Sequence, residues 1–114
     1  MAHSYDRYET LRVFSGGVRA AVDPEAWVLA DEKIARVLSY WSDRRVAAPY
    51  EIEPLDRINQ QLYVVQPAGD DVLAKMAQAG MALGEVVGVE AGKDVDPPPW
   101  ALRRLVRREE AVTP

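Results

Sequence analysis

Pairs of opposite charges are the feature of this sequence best suited to chemistry. A carboxylate that faces an arginine inside a closed helical pocket can catalyse an isomerisation or an elimination without histidine or cofactor. The candidate pairs are Glu53 or Asp56 with Arg57, and Asp31 with Arg36. Because the same residue types also form ordinary solvated helix surface, a small cofactor-free enzyme of the isomerase or lyase type is an alternative function, not the leading one.

The residues that most other catalytic motifs require are missing or isolated. The chain has no cysteine, which excludes a disulfide framework, a thiolate zinc site, an iron–sulfur cluster and a cysteine nucleophile. His3 is the single histidine and stands close to a chain end, whereas a general base needs fixed geometry. The glycine pair in residues 15–18 lacks the spacing of a phosphate-binding loop, and the acids in residues 90–96 lack the pattern of a calcium loop. The sequence therefore predicts neither a cofactor nor a metal site.

The charge distribution makes nucleic-acid binding a second, disfavoured alternative. Fourteen basic and 18 acidic residues leave a net charge of −4, which attracts neither a phosphate backbone nor an anionic membrane. Four arginines nevertheless crowd one segment near the C-terminus, and in a helix they would share one side. They are Arg103, Arg104, Arg107 and Arg108. Two glutamates follow them directly and oppose binding to phosphate.

The same C-terminal segment is the best candidate for contact with a protein. Trp100 follows three prolines and begins a stretch that predicts an amphipathic helix over residues 100–109. Tryptophan and arginine are frequent anchors of interfaces, and a helix on a stiff proline arm suits docking into a groove. The predicted partner-binding residues are Trp100, Leu102, Arg103, Arg104, Leu105, Arg107 and Arg108. Whether this helix packs on its own domain or on another chain stays open.

These observations favour a non-catalytic accessory or structural subunit that acts through protein–protein contacts. The partner is another protein or a second copy of the chain, within an assembly such as a virion or a multi-subunit complex. The first residues contain no apolar segment typical of a secretory signal, and no window approaches the roughly 20 apolar residues that span a bilayer. We therefore expect a cytoplasmic location and no contact with a membrane.

Four helices are predicted from capping residues and apolar spacing. The clearest runs from Asp23 to about Arg44, where Trp27, Ile34 and Trp41 recur every seven residues. The others cover residues 54–65, residues 70–83 and the C-terminal segment, although residues 63–65 also suit a strand.

The N-terminal residues and the domain limits complete the predicted architecture. Residues 11–22 alternate as a hairpin around Gly16-Gly17, with a helix from Ser4 as the alternative, and residues 85–89 suit a further short strand. The predicted fold is α+β but mainly α-helical, with four amphipathic helices around one core and an N-terminal β-hairpin; the alternative is all-α. A core domain would cover residues 1–90, an acidic and proline-rich connector residues 91–99, and the basic helix and tail residues 100–114.

Overall fold

The computed structural model describes the backbone of residues 2–87 and 100–108, with side chains from residue 10 onward. Its helices and strands follow one another in chain order, with two short 3-10 turns, Pro49–Glu51 and Leu55–Arg57, between the second and third strands. The elements are α1 (Ala2–Ala21), β1 (Trp27–Leu29), α2 (Glu32–Ser42), β2 (Arg45–Ala47), β3 (Leu62–Gln66), α3 (Asp70–Gln78), β4 (Met81–Val87) and β5 (Ala101–Arg107).

The five strands form one mixed sheet in the order β2-β1-β3-β5-β4. The first three pair in parallel, and β5 is antiparallel to both of its neighbours, so β4 runs in the direction of β3. Two strands, β2 and β4, therefore form the outer edges of the sheet within the described part of the chain.

The sheet separates two hydrophobic clusters, one on each face. The helices α1 and α2 cover one face through residues such as Phe14, Val18 and Leu38, which are fully buried. On the other face, α3 and the 3-10 turns cover Val64 and Leu105. Strands that are buried on both faces need nearly continuous apolar sequence, and residues 28–30 and 62–65 supply it.

The prediction of four helices around one core was wrong, since the described chain has an α+β fold with three helices and a five-stranded sheet. The clearest predicted helix is divided, because Trp27 lies in β1 while Ile34 and Trp41 lie in α2. Trp27 packs in the α3 cluster and the other two pack in the α1 cluster, on the opposite face. The seven-residue spacing of Trp27, Ile34 and Trp41 is therefore not the apolar stripe of a single helix.

The N-terminal hairpin was also wrong. The helix α1 continues through Gly16, which is exposed, and places Leu11, Phe14 and Val18 on the sheet at spacings of three and four. The hydroxyl of Ser15 donates to the carbonyl of Leu11 at 2.8 Å, so this fully buried polar side chain is satisfied inside the helix.

Two other predicted helices form mostly other structure. Residues 54–65 contain a 3-10 turn and most of β3, and residues 100–109 contain β5. The helix expected over residues 70–83 ends at Gln78, and Gly80, with φ 66°, leads into β4. At each of these places, strand pairing outweighs the local helix propensity on which the prediction was based. The predicted connector of residues 91–99 lies outside the described residues.

No helix in residues 2–87 or 100–108 has the length and apolar character that crossing a bilayer requires.

Candidate functional site

The predicted partner-binding residues lie on and beside β5, not on a helix. Successive side chains of a strand point to opposite faces, so they cannot form the single helical docking surface that the sequence suggested. Leu102 is fully buried in the α1 cluster and Leu105 is buried in the α3 cluster. Trp100 is half-buried, with its ring centroid 6.1 Å from that of Phe14.

Two arginines of β5 contact the irregular part of the neighbouring strand β4. The pairing of β4 with β5 shifts by one residue between Leu83 and Val86, which is a β-bulge. Arg103 donates to the carbonyl oxygen of Gly84 inside this bulge, from Nε at 2.9 Å and from Nη2 at 2.6 Å. A guanidinium that donates two hydrogen bonds to one carbonyl fixes its position, so Arg103 stabilises the shape of the bulge.

The second arginine contacts the same bulge from the other face of the sheet. Arg104 forms an ion pair with Glu85, with Nη1 3.2 Å from Oε1, and both side chains are substantially exposed. The remaining basic residues of the segment, Arg107 and Arg108, are exposed. Arg108 takes part through its backbone, donating to the carbonyl of Gly80 at 2.8 Å.

The hydrogen bond from Arg108 to Gly80 shows which backbone groups of β4 point away from β5. Neighbouring residues of an antiparallel ladder alternate between facing the partner strand and facing away. Because Gly80 faces β5, Met81 and Leu83 turn their N–H and C=O groups outward. Beyond the bulge Val87 faces β5 opposite Leu102, so Val86 turns outward.

We call this outer backbone row of Met81, Leu83 and Val86 the β4 edge. Within the described part of the chain no strand pairs with it. The strand has seven residues and no proline or lysine, and Glu85, its single charged residue, is paired with Arg104. The Val86 side chain is 61% exposed. Natural sheets usually protect an edge of this length with charge, proline or a covering element, so the β4 edge is the clearest candidate for a binding surface.

A cleft at the start of the parallel strands includes one of the predicted acid–arginine pairs. Its volume is about 510 Å³, and its lining includes Glu53 and Arg57 but not Asp56. Arg45 lies over the ring of Trp27 at one wall, 5.5 Å from its centroid. Both Glu53 and Arg57 are exposed, so the cleft does not give them the desolvated pairing that an acid–arginine catalyst needs.

The second predicted pair is not brought together by a described contact. Asp31 instead accepts a hydrogen bond at Oδ1 from the N–H of Gly69, at 3.0 Å. A Cβ atom at Gly69 would lie 2.7 Å from that oxygen, so a larger residue there would displace the Asp31 carboxylate. This contact joins the start of α2 to the start of α3, which gives Asp31 a structural role.

Tyr50 lies in contact with an acidic residue of α2. Its hydroxyl donates to Glu32 at 3.2 Å. The pKa of the phenol is raised above its ordinary value by desolvation, by this hydrogen bond and by the negative charges of Glu32 and Glu51, and it is lowered slightly by Arg36. The raised pKa favours the protonated phenol, which donates this hydrogen bond.

No group of three histidine, cysteine, aspartate or glutamate side chains that could hold a metal occurs among the described residues. The His3 side chain and the predicted acidic segment of residues 90–96 lie outside them.

The chain matches no protein-family model, no curated protein and no solved structure.

Sequence reasoning missed the β4 edge because it assigned residues 70–83 to one helix. A signal was present in the mostly apolar run from Met81 to Val87, which is typical of a strand. It is interrupted by Gly84 and Glu85, and a glycine inside a strand often marks a bulge. The suggestion of a short strand over residues 85–89 coincides with the end of β4, although residues 88 and 89 lie outside the described part.

Proposed function

We propose that this protein is a non-catalytic binding subunit that engages a partner chain by strand addition at the β4 edge. The observation that supports this most directly is the outward-facing backbone of Met81, Leu83 and Val86 on a seven-residue outer strand. Strand addition takes its affinity from main-chain hydrogen bonds and its specificity from the alternating side chains. The exposed valine at position 86 supplies an apolar contact beside that backbone.

The residues around the β4 edge keep the strand ordered, which favours binding of a partner strand. The buried strand β5 supports β4 along its inner side, and Arg103 holds the bulge by its two hydrogen bonds. A strand that is already ordered binds without a large loss of conformational entropy. The arginines that suggested a docking helix thus act, under this proposal, behind the docking strand.

A proline at position 86 tests the proposal. It would remove the outward N–H of Val86 without breaking a hydrogen bond to β5, whereas threonine at the same position keeps the N–H and suits a strand. Tagged wild-type, Val86→Thr and Val86→Pro proteins would be incubated with extract of the source cells. We expect the first two to retain the same partner chain and Val86→Pro to lose it.

Folding must be compared in the same experiment. Circular dichroism and the thermal midpoint should be similar for the three proteins, so that a lost partner reports the edge and not unfolding. Retention of the same chains by all three proteins, at equal yield, would show that the β4 edge does not bind.

A further inference from the structure

We infer that the cleft between residues 51–60 and the first residues of β1 and β2 binds a free α-amino acid with an apolar side chain. Its volume of about 510 Å³ lies within the range of small-molecule sites. The inference is independent of strand addition, because the residues that line the cleft belong to β1, β2 and residues 51–60 and not to β4. It follows from an apolar wall and from two opposite charges that do not pair.

The apolar wall is built around an indole ring. Trp27 and Arg45 are paired neighbours on the parallel strands β1 and β2, so their side chains share one face of the sheet. Trp27 is half-buried and packs with the α3 cluster, as do Ile52 and Ile58, which line the same cleft. These three residues offer an apolar surface to the side chain of a ligand. The guanidinium of Arg45 lies 5.5 Å from the centroid of the indole ring, so a cation–π contact already engages its charge.

Two opposite charges line the cleft without pairing. Glu53 and Arg57 both belong to the lining, yet no ion pair joins them to each other or to another described residue. The other two charged groups of the lining are engaged. Arg45 lies over the indole ring, and Oε1 of Glu51 accepts a hydrogen bond from the N–H of Ala48 at 3.0 Å. The cleft therefore presents one carboxylate and one guanidinium that have no partner among the described residues.

A zwitterion is complementary to both of these charges. The carboxylate of an α-amino acid suits the guanidinium of Arg57, which can donate two parallel hydrogen bonds to it. The ammonium group of the same ligand suits the carboxylate of Glu53. Because the lining contains two acidic and two basic side chains, it has no net charge that would favour a simple anion or a simple cation.

Hydrogen bonds from other parts of the chain hold the backbone of the cleft. The carbonyl of Ile52 accepts a hydrogen bond from Nζ of Lys75 on α3 at 2.8 Å. The N–H of Trp27 donates to the carbonyl of Gln61 at 2.9 Å, which ties the end of the segment to β1. A site that is already shaped binds a small ligand with a smaller loss of conformational entropy.

Three matched ligands test the two charges. L-Phenylalanine carries both, phenylacetate lacks the ammonium group and phenethylamine lacks the carboxylate. In NMR titrations of the wild-type chain with up to about 10 mM ligand, L-phenylalanine should shift the indole N–H of Trp27 and the amides of Asn59 and Gln60 in a saturable way. The other two ligands should bind at least about tenfold more weakly, because each lacks one hydrogen bond between charged groups.

Single substitutions assign each charge to its residue. Glu53→Gln should weaken binding of L-phenylalanine at least about tenfold and leave phenylacetate unchanged, because that ligand has no ammonium group. Arg57→Gln should weaken L-phenylalanine to a similar extent and leave phenethylamine unchanged, because that ligand has no carboxylate. Asp56→Asn is the matched control, since Asp56 is exposed on the same segment but does not line the cleft. It should bind all three ligands as the wild type does.

The thermal midpoints of the three variants should match that of the wild type, because exposed side chains contribute little to stability. The absence of a saturable shift with L-phenylalanine, or equal binding of the three ligands, overturns the inference. A shift that neither Glu53→Gln nor Arg57→Gln weakens, or that Asp56→Asn weakens as much, also overturns it, because the ligand then lies elsewhere. Failure of strand addition at the β4 edge leaves the inference standing, because the two sites use different residues.

Discussion

The two outer strands of the sheet differ in how their backbone is used. β2 has three residues, and its middle residue, Val46, donates its N–H to the carbonyl of Arg44 at 3.0 Å. β4 has seven residues, and three of them turn their backbone groups away from the sheet. A short strand whose amide is already bonded offers little to an incoming chain, whereas a long one with free groups offers a template. Within the described part of the chain, β4 therefore presents more outward backbone groups to an incoming strand than β2 does.

The side chains reinforce the same difference. At β2, Arg45 lies over Trp27 and places a charge on the strand, and the chain continues into Pro49 after the strand ends. At β4, the charge of Glu85 is compensated by Arg104, and the exposed side chain beside it is a valine. The arginines thus contact different things at the two ends: Arg45 lies over an aromatic ring, whereas Arg103 and Arg104 contact the neighbouring strand β4.

The largest effect is expected from the strand that supports the open edge. Leu102 of β5 is fully buried, so Leu102→Ala removes packing and leaves a cavity, at a cost of about 2–5 kcal/mol in the free energy of unfolding. The control Leu73→Ala, on the exposed side of α3, should cost less than about 1 kcal/mol. Urea denaturation measures both. Equal losses would mean that β5 is not the buried support of β4.

A smaller effect is expected at the bulge. Arg103→Met removes both hydrogen bonds to the carbonyl of Gly84 and should destabilise the protein by about 1–2 kcal/mol. Arg103→Lys should recover only part of the lost stability, because an ammonium keeps the charge but cannot donate in the fork geometry of a guanidinium. Arg107→Met, at an exposed position of the same strand, is the matched control. If Arg107→Met were as harmful as Arg103→Met, general charge and not the bulge contact would explain the loss.

Hydrogen exchange compares the two edges directly. The amide of Val46 is bonded within its own chain, so it should be protected from exchange. The amide of Val86 should exchange at least about tenfold faster than that of Val46, because no strand in the described part of the chain bonds to it. NMR resolves both amides. A Val86 amide as protected as that of Val46 would contradict an unpaired outer row on β4.

The smallest effects are expected from the exposed arginines. Arg45→Ala loses its contact with Trp27 and should cost about 0.5–1 kcal/mol. Arg104→Gln breaks an exposed ion pair and should cost less than about 1 kcal/mol. The two variants should differ in capture of a partner chain, because only Arg104→Gln leaves the charge of Glu85 uncompensated on β4. The distinction between the edges fails if Arg45→Ala weakens capture of the partner chain as much as Arg104→Gln does.

Much of the local character of the chain is readable from its sequence. The run of Val28, Leu29 and Ala30 and the run of residues 62–65 show which segments are buried, and the lack of cysteine removes whole classes of site. The segment after Trp100 was predicted to bind a partner, which stays a prediction, and the helix predicted there was wrong because the segment forms β5. Apolar spacing does not separate a short buried strand from a turn of helix, which is why Trp27 was grouped with Ile34 and Trp41.

The sequence by itself determined which residues avoid water and which sites could not exist. Only the tertiary structure decided that residues 101–107 lie between β3 and β4 and that Arg103 bonds to a carbonyl 19 residues earlier. It also decided that one backbone row of β4 has no strand partner among the described residues. The physical reason is that strand partners and bulges are set by hydrogen bonds between distant segments, whereas apolar periodicity reports only whether a segment is buried.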